Sequence, residues 1–199
     1  MTVAANQLYC GIDFEGSGAS KTLKDAPVQI GTAFLEPNKT IIPALDSHIN
    51  PGRRITSHAY RIHKIGYKEV INAPKIYSFY KDIKEASEKA IFVAHSTSTE
   101  KRYLKAAFPL LRISWIDTLT IARYAYPNIK SHKLENCFAL TNKEEELRKL
   151  LPNKNWHDAI FDATASLLFL QHCLNLPGWE EITTLQLMVP PKHTRNIKY

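Results

Sequence analysis

Three strand patterns close together at the start of the chain, followed by alternating helix and strand patterns, restrict the fold more than any other feature of this sequence. Three early apolar segments predict strands at 8–13, 27–36 and 40–50. Two later apolar runs predict strands at 90–95 and 113–117. Helical patterns occur at 75–89, 98–111, 117–126, 133–140, 143–151 and 158–176. Loops and short helices are expected at 53–74. This order predicts an α/β fold in which helices cover a mixed sheet.

The length and composition fit one substantial core. The chain has 199 residues, 44% of them hydrophobic and 23% charged, which is ordinary for a soluble globular protein. We predict a main domain at 1–178 and a C-terminal helix and basic tail at 179–199. The sequence contains no run of about 18 apolar residues, and its start lacks the features of a signal peptide. Cys10, Cys137 and Cys173 are odd in number and widely spaced, which fits free buried thiols in a reducing compartment. We therefore expect a cytoplasmic protein with no membrane partner.

The chain is basic. Its 26 lysines and arginines against 19 acidic residues give a net charge of +7 and an isoelectric point of about 9.2. Such a charge favours polyanionic partners, although composition alone does not identify one. The candidate catalytic residues are acidic, so the rest of the surface is more positive than the total indicates. An acidic site within a basic surface is typical of a metal-assisted nuclease.

The first strand pattern carries two carboxylates, Asp13 and Glu15, in an otherwise apolar stretch. Residues two apart on a strand point to the same face, with their backbones roughly 6–7 Å apart. Two like charges at that spacing repel each other unless a cation lies between them, and carboxylate oxygens suit Mg²⁺ or Mn²⁺. Such a pair can also lie on an exposed strand face, but the apolar neighbours indicate a largely buried strand. Small residues at 16–18 would let a substrate backbone approach closely.

Glu100 opens the helix predicted at 98–111 and lies on its apolar line, because Leu104, Phe108 and Leu111 follow at helical spacing. A carboxylate directed at the core needs a partner, and a shared metal ion would supply one. Thr97 and Glu100 also fit a capping box, in which Glu100 would bond only to the backbone of Thr97. The sequence leaves both interpretations open.

The third candidate group lies at the start of the last long helix. Five residues turn by about 140° around a helix, so His157 and Asp162 converge only if His157 lies on the preceding loop. Asp162 lies within the apolar run 159–163, where an unpaired charge is costly. Histidine exchanges protons near neutral pH, which suits a general base acting on water. The alternatives are a helix-start residue for His157 and a buried, hydrogen-bonded carboxylate for Asp162.

The order of these groups resembles the three motifs of the DEDDh 3′–5′ exonucleases, the DnaQ-like family of bacterial proofreading epsilon subunits, RNase T and oligoribonuclease. The first motif is similar to residues 13–18 (DFEGSG) and the second to residues 94–100 (AHSTSTE). The third, His-x-Ala-x-x-Asp-Ala, is matched in full by residues 157–163 (HDAIFDA). The resemblance extends over about residues 8–176. It implies an RNase H-like mixed five-stranded sheet, with three antiparallel strands plus two parallel strands, flanked by helices.

The resemblance also implies roles for individual residues. The catalytic set would be Asp13, Glu15, Glu100, His157 and Asp162. Its four carboxylates would hold two Mg²⁺ or Mn²⁺ ions, and its histidine would take a proton from the attacking water. Substrate contacts would come from Phe14, Gly16, Ser17, His63 and His95. For the last two histidines a structural role is the alternative.

The activity implied by the resemblance is hydrolysis of phosphodiester bonds at the 3′ end of single-stranded nucleic acid, with DNA favoured over RNA and 5′-mononucleotides as products. A DNA polymerase is a further candidate partner. Two positions depart from the family pattern, because Glu100 replaces an aspartate and Ser96 an asparagine. The extra methylene of glutamate adds about 1.3–1.5 Å of reach, and a misplacement of about 1 Å can slow catalysis roughly 100-fold. The alternative function is therefore a catalytically weakened module that binds nucleic acid or a polymerase.

Overall fold

The computed structural model describes residues 3–37 and 39–189. Five strands form its centre: β1 (Tyr9–Gly16), β2 (Pro27–Leu35), β3 (Ile41–His48), β4 (Ile91–Ala94) and β5 (Trp115–Asp117). They form one sheet in the order β3-β2-β1-β4-β5. The first three pair antiparallel, and β4 and β5 extend the sheet from β1 in parallel. The predicted mixed five-stranded α/β sheet is therefore confirmed.

Helices cover both faces of this sheet. They are α1 (Ser57–His63), α2 (Tyr67–Val70), α3 (Tyr80–Lys89), α4 (Ser98–Ala107), α5 (Thr118–Ala125), α6 (Leu134–Ala139), α7 (Glu144–Leu150), α8 (Ala159–Leu174) and α9 (Thr184–Met188). Short 3₁₀ turns precede β1 and α3. Within the described residues, no helix is both long enough and apolar enough to cross a lipid bilayer.

The longest helix, α8, lies directly on the sheet because it is apolar on almost every side and buries nearly all of its residues. Two glycines permit this approach. A Cβ on Gly31 of β2 would lie 2.0 Å from the backbone nitrogen of Ile160. A Cβ on Gly11 of β1 would lie 2.7 Å from the carbonyl oxygen of Ala163. The first turns of α8 therefore contact the backbones of two central strands.

The opposite face of the sheet is covered by α3 and α4. Cys10, Ile12 and Phe14 of β1 belong to the apolar cluster on that side. Because side chains alternate along a strand, Asp13 and Glu15 share the α8 side with Gly11. The alternation therefore separates the apolar residues of β1 from its two carboxylates.

After α8 the chain returns to the core. Leu187 of α9 is buried in the main apolar cluster, and Val3 forms an isolated antiparallel bridge with Thr183. The domain boundary at residue 178 stays a prediction. The part of the predicted tail from residue 190 on lies outside the described residues. The three cysteines are free and buried, as the sequence predicts.

Some predicted boundaries are wrong by a few residues. β1 continues to Gly16 instead of ending at Asp13, because its pairing with β2 persists through the two carboxylates. α4 ends at Ala107 rather than 111, because Pro109 disfavours helical geometry at the residue before it. The helix predicted at 75–89 begins as a 3₁₀ turn at Ile76–Phe79 and becomes α-helical at Tyr80.

Candidate active site

Asp13 and Glu15 lie at the end of β1, beside the two β2 residues that contact the start of α8. In the antiparallel register Asp13 is opposite Gly31, and Glu15 is opposite Gln29. The backbone of α8 lies over Gly31. The strand carboxylates are therefore next to the first turn of that helix.

Asp162 and His157 approach the carboxylates from the α8 side. Asp162 lies in the first turn of α8, whereas His157 lies on the preceding loop in a left-handed conformation with φ of 67°. The backbone nitrogen of His157 donates a hydrogen bond to Oδ2 of Asp162 at 3.3 Å. This is the loop placement that convergence of the two residues requires.

Three of the five predicted catalytic residues form one tight group. Ligand atoms of Glu15, His157 and Asp162 lie within 4.8 Å of one another. Asp13 and Glu100 lie outside this group, but their charges act on it. Asp13 lies close enough to repel the other three carboxylates, Glu15, Glu100 and Asp162, electrostatically.

The four carboxylates disfavour each other's charge. Burial raises the pKa of Asp13 to about 7. Burial, with repulsion mainly from Asp13 and Asp162, raises the pKa of Glu15 to about 9. Burial and repulsion from Asp13 raise the pKa values of Glu100 and Asp162 to about 8. Such a cluster holds protons near neutral pH unless a cation replaces them.

Two buried oxygens of this cluster need a partner. Oε2 of Glu100 and Oδ1 of Asp162 accept no hydrogen bond from any described residue. Buried carboxylate oxygens are costly when they are unpaired, and hard divalent cations bind such oxygens. The carboxylates of this cluster could therefore hold a divalent cation.

Glu100 does not take part in the capping box that the sequence allows. The side chain of Thr97 makes no capping bond at the start of α4, and Glu100 is only 4% exposed. Asp117 orders this segment instead, because its carboxylate accepts bonds from the backbone nitrogens of Ser96 at 3.0 Å and Thr97 at 3.3 Å. The same side chain caps α5, because it also accepts a bond from the backbone nitrogen of Leu119 at 2.9 Å. Glu100 is thus left directed at the carboxylate cluster.

The turn after β1 is held by Asp25, which the sequence analysis missed. Its carboxylate accepts bonds from the backbone nitrogen of Gly18 at 2.8 Å, from Arg102 at 3.1 Å and from the Tyr103 hydroxyl. Burial alone would raise the pKa of Asp25, but the bonds from Tyr103, Arg102 and Gly18 lower it overall. A Cβ on Gly16 would collide with this Asp25–Tyr103 pair.

The predicted substrate-binding residues of this turn are engaged within the protein. Phe14 is buried and packs edge-on against Tyr103, with ring centroids 5.5 Å apart. Ser17 is fully buried, and its hydroxyl accepts a bond from the backbone nitrogen of Ala26 at 3.0 Å. Substrate contacts from Phe14, Gly16 and Ser17 stay a prediction.

The two other predicted histidines occupy different positions. Nε2 of His63 lies 3.1 Å from the carbonyl oxygen of Gly16, at the edge of the candidate site. The ring of His95 points elsewhere, with Nδ1 3.0 Å from the Thr118 hydroxyl and Nε2 2.8 Å from the carbonyl oxygen of His132. These bonds describe a structural role for His95, and its contact with substrate stays a prediction.

A second group that the sequence analysis missed holds the loop of His157. The amide of Gln29 donates to Asp158 at 2.7 Å and accepts from the backbone nitrogen of Ala159 at 3.1 Å. Lys154 bridges Asp158 at 3.1 Å and Asp46 at 2.6 Å. Gln29 is 3% exposed within the apolar segment of β2. A buried amide requires hydrogen-bond partners, so the presence of Gln29 in an apolar strand pattern is the sequence feature that could have indicated this role.

Comparison with known proteins identifies the family. A family model described as "Exonuclease" (RNase_T) matches residues 10–170. The chain belongs to the DnaQ-like 3′–5′ exonuclease family.

Two relatives show how this exonuclease domain recurs. A PolC-type DNA polymerase III of Listeria welshimeri is 28% identical over 163 residues, which cover 79% of this chain and 11% of the polymerase. The 3′-5′ exonuclease DinG of Staphylococcus epidermidis is also 28% identical over 163 residues, which cover 79% of this chain and 17% of DinG. The chain therefore spans less than a fifth of the length of these relatives.

Solved structures share the RNase H-like fold. Exonuclease X in complex with 5′ overhanging duplex DNA matches with a TM-score of 0.71 and 23% identity, covering 90% of this chain and 97% of that chain. The nuclease domain of 3′hExo, a DEDDh family member bound to rAMP, matches with a TM-score of 0.66 and 14% identity over the same shares.

Proposed function

We propose that this exonuclease is a metal-dependent enzyme of the DEDDh type that acts at the 3′ end of single-stranded nucleic acid and releases 5′-mononucleotides. The observation that carries the proposal is the convergence of Glu15, His157 and Asp162 within 4.8 Å, beside two more acidic side chains. DNA is favoured over RNA, because the relatives include a DNA polymerase and the nuclease DinG.

In this proposal Asp13, Glu15, Glu100 and Asp162 would hold two Mg²⁺ or Mn²⁺ ions, and bound ions would supply Lewis acidity for phosphodiester hydrolysis. His157 takes the proton of the attacking water. Its ring belongs to an exposed residue, so it is accessible from solvent, and its backbone bond to Asp162 keeps it beside the carboxylates.

The test uses one oligonucleotide labelled at either end. In Mg²⁺ we expect a 5′-labelled single strand to shorten progressively. We expect a 3′-labelled strand to release its label at once as a mononucleotide. EDTA should abolish both. Asp162→Asn should remove turnover, and Glu145→Gln provides the matched control, because Glu145 is 83% exposed on α7. His157→Ala should lower turnover by roughly 100-fold or more, as expected for loss of a general base.

The alternative of a catalytically weakened binding module predicts a different pattern. It requires salt-sensitive binding of the oligonucleotide without any metal-dependent product. Hydrolysis that Asp162→Asn abolishes would exclude it. Laddering that persists in EDTA, or full turnover by His157→Ala, would instead contradict the proposed catalytic roles.

Three wider assignments belong to the same proposal. Association with a DNA polymerase is suggested by the PolC relatives, in which the matched region is 11% of the protein. A cytoplasmic location fits the buried free cysteines. The division into a domain at 1–178 and a C-terminal segment at 179–199 is tested by truncation after residue 178. Parental turnover and melting temperature would support the division, and loss of stability would show that Leu187 belongs to the core of the same domain.

A further inference from the structure

A groove of about 920 Å³ lies outside the carboxylate cluster. Its lining includes Arg53 and Arg54 from the segment after β3, residues of α1 and α2, and Lys75. Tyr60 and Tyr67 also line it. We call this surface the basic groove.

The charge of the basic groove suits a polyanion. Residues 50–75 contain six lysines and arginines and one acidic residue. Arg54 is exposed and forms no hydrogen bond or ion pair with any residue in the described ranges. The Nε of Arg53 is buried and has no acceptor among the described residues. The guanidinium of Arg53 is engaged with the carbonyl oxygen of Lys24, so Arg54 is the arginine with free donors at the surface, and phosphate oxygens are acceptors that match it.

The groove also exposes aromatic and apolar surface. Tyr67 is 62% exposed and Tyr60 49%, and Ile71 beside them is also exposed. Cations combined with exposed aromatic rings are typical of surfaces that bind single strands, because unpaired bases stack on the rings while the phosphates contact the cations.

The lining of the groove is braced by protein contacts. Asn50 connects two of its segments, because its amide donates to the carbonyl oxygen of Ile71 at 2.7 Å and accepts from Lys75 at 3.0 Å. Its backbone nitrogen bonds to Pro74 at 2.9 Å. These bonds fix the segment after β3 to residues 71–75.

The groove adjoins the candidate active site. Thr56, between the two lining residues Ile55 and Ser57, donates its backbone nitrogen to the carbonyl oxygen of Ser17 at 2.8 Å. At the other end of α1, His63 contacts Gly16. One short helix thus joins the groove to the turn that follows Glu15.

We propose that the basic groove binds the single-stranded segment that leads to the active site, with phosphates at Arg54 and Lys75 and a base at Tyr67. This rests on the proposed exonuclease function, but it concerns affinity for the strand and not the hydrolytic step.

The test measures binding of a fluorescein-labelled 15-nucleotide oligothymidylate to the full chain in EDTA, by anisotropy at several salt concentrations. The double variant Arg54→Gln/Lys75→Gln should flatten the dependence of log K on log salt by about 1.4, since each lost phosphate contact removes about 0.7 for a single strand. Tyr67→Ala should weaken binding roughly tenfold.

Matched controls lie elsewhere on the surface. Lys105→Gln/Lys149→Gln removes the same charge from exposed positions outside the groove, and Tyr77→Ala removes a ring that is 66% exposed. Three results would each overturn the proposal. The groove variants could bind like these controls, the parent protein could show no salt-dependent binding, or the parent could bind a duplex of the same length with equal affinity. Thermal melts confirm that the variants remain folded.

Hydrolysis separates this proposal from the proposed function. With Mg²⁺, the groove variants should cleave a dinucleotide at the parental rate and the 15-nucleotide strand more slowly when that strand is below saturation. A parent that hydrolyses neither substrate contradicts the exonuclease function, while the binding data in EDTA still decide the groove.

Discussion

Replacing Gly31 with alanine tests whether the contact between β2 and α8 sets the geometry of the active site. The new Cβ would lie 2.0 Å from the nitrogen of Ile160 and 2.2 Å from the carbonyl carbon of Ala159. These are backbone atoms, so rotation of a side chain cannot relieve the contact. The strand and the helix must separate by more than 1 Å to reach an ordinary contact of 3.4 Å.

This separation acts directly on the site. Asp13 is opposite Gly31, and Asp162 lies two residues beyond Ile160. A displacement of about 1 Å between catalytic groups can cost roughly 100-fold in rate, so we expect that loss in kcat. Overpacking should also cost about 1–3 kcal/mol, or roughly 3–10 °C in melting temperature for a chain of this size.

A graded control is available on the neighbouring strand. In Gly11→Ala the nearest atoms are the carbonyl oxygen of Ala163 and the side chain of Leu167, both at 2.7 Å. The required movement is under 1 Å, and the leucine side chain can absorb part of it. Single-turnover cleavage and thermal melts should therefore rank the parent above Gly11→Ala and Gly11→Ala above Gly31→Ala. Parental rate and melting temperature in Gly31→Ala would refute the reasoning.

Three further predictions concern the carboxylates and their support. In EDTA the melting temperature should fall as pH rises from about 5 to 9, because the folded-state pKa values of these carboxyls are about 7 to 9, above their unfolded values. Over this range the unfolded chain has released protons that the folded protein still holds, so a higher pH favours unfolding. Mg²⁺ should reverse the fall, and a flat profile would contradict the burial of the cluster. Glu100→Asp should change kcat by at least several-fold with little effect on KM, because it shortens one proposed ligand by about 1.5 Å. Steady-state cleavage measures both constants, and an unchanged kcat would mean that Glu100 does not act on the reaction. Gln29→Ala should lower kcat more than about tenfold and shift the pH profile of kcat, because Asp158 and the backbone of Ala159 lose the amide that holds the loop of His157. If the pH profile is unchanged and only the melting temperature falls, Gln29 contributes to folding alone.

Hydrophobic patterns predict the sheet well because β1, β2 and β4 bury most of their residues and so appear as apolar runs. They fail at the end of β1, where the pattern of apolar residues stops but the pairing does not. Asp13 and Glu15 stay in the ladder because β2 supplies backbone partners through Gln29. The polar residues that end the pattern are two of the proposed metal ligands, so a boundary drawn from hydrophobicity alone excludes Glu15 from the strand that carries it.

The candidate site is predictable to the extent that its residues lie in motifs. Asp13, Glu15, Asp162 and His157 could be selected from residue type and spacing alone. Asp25 could not, because its partners Arg102 and Tyr103 are more than 70 positions away and the pairing depends on tertiary contact. The same applies to the bonds of Gln29, which cross about 130 positions of sequence.

Residues outside the motifs determine where one motif lies relative to another. Asp162 reaches the strand carboxylates because α8 lies on the backbone of β2, and that contact exists only where a residue has no side chain. Gly31 is therefore as necessary for the convergence as the acidic residues, although it carries no chemistry. The same closeness raises the pKa values of the carboxylates, since α8 buries them while it brings them together. The contact that brings the carboxylates together thus also disfavours their charged form, which is the condition under which a bound cation would stabilise them.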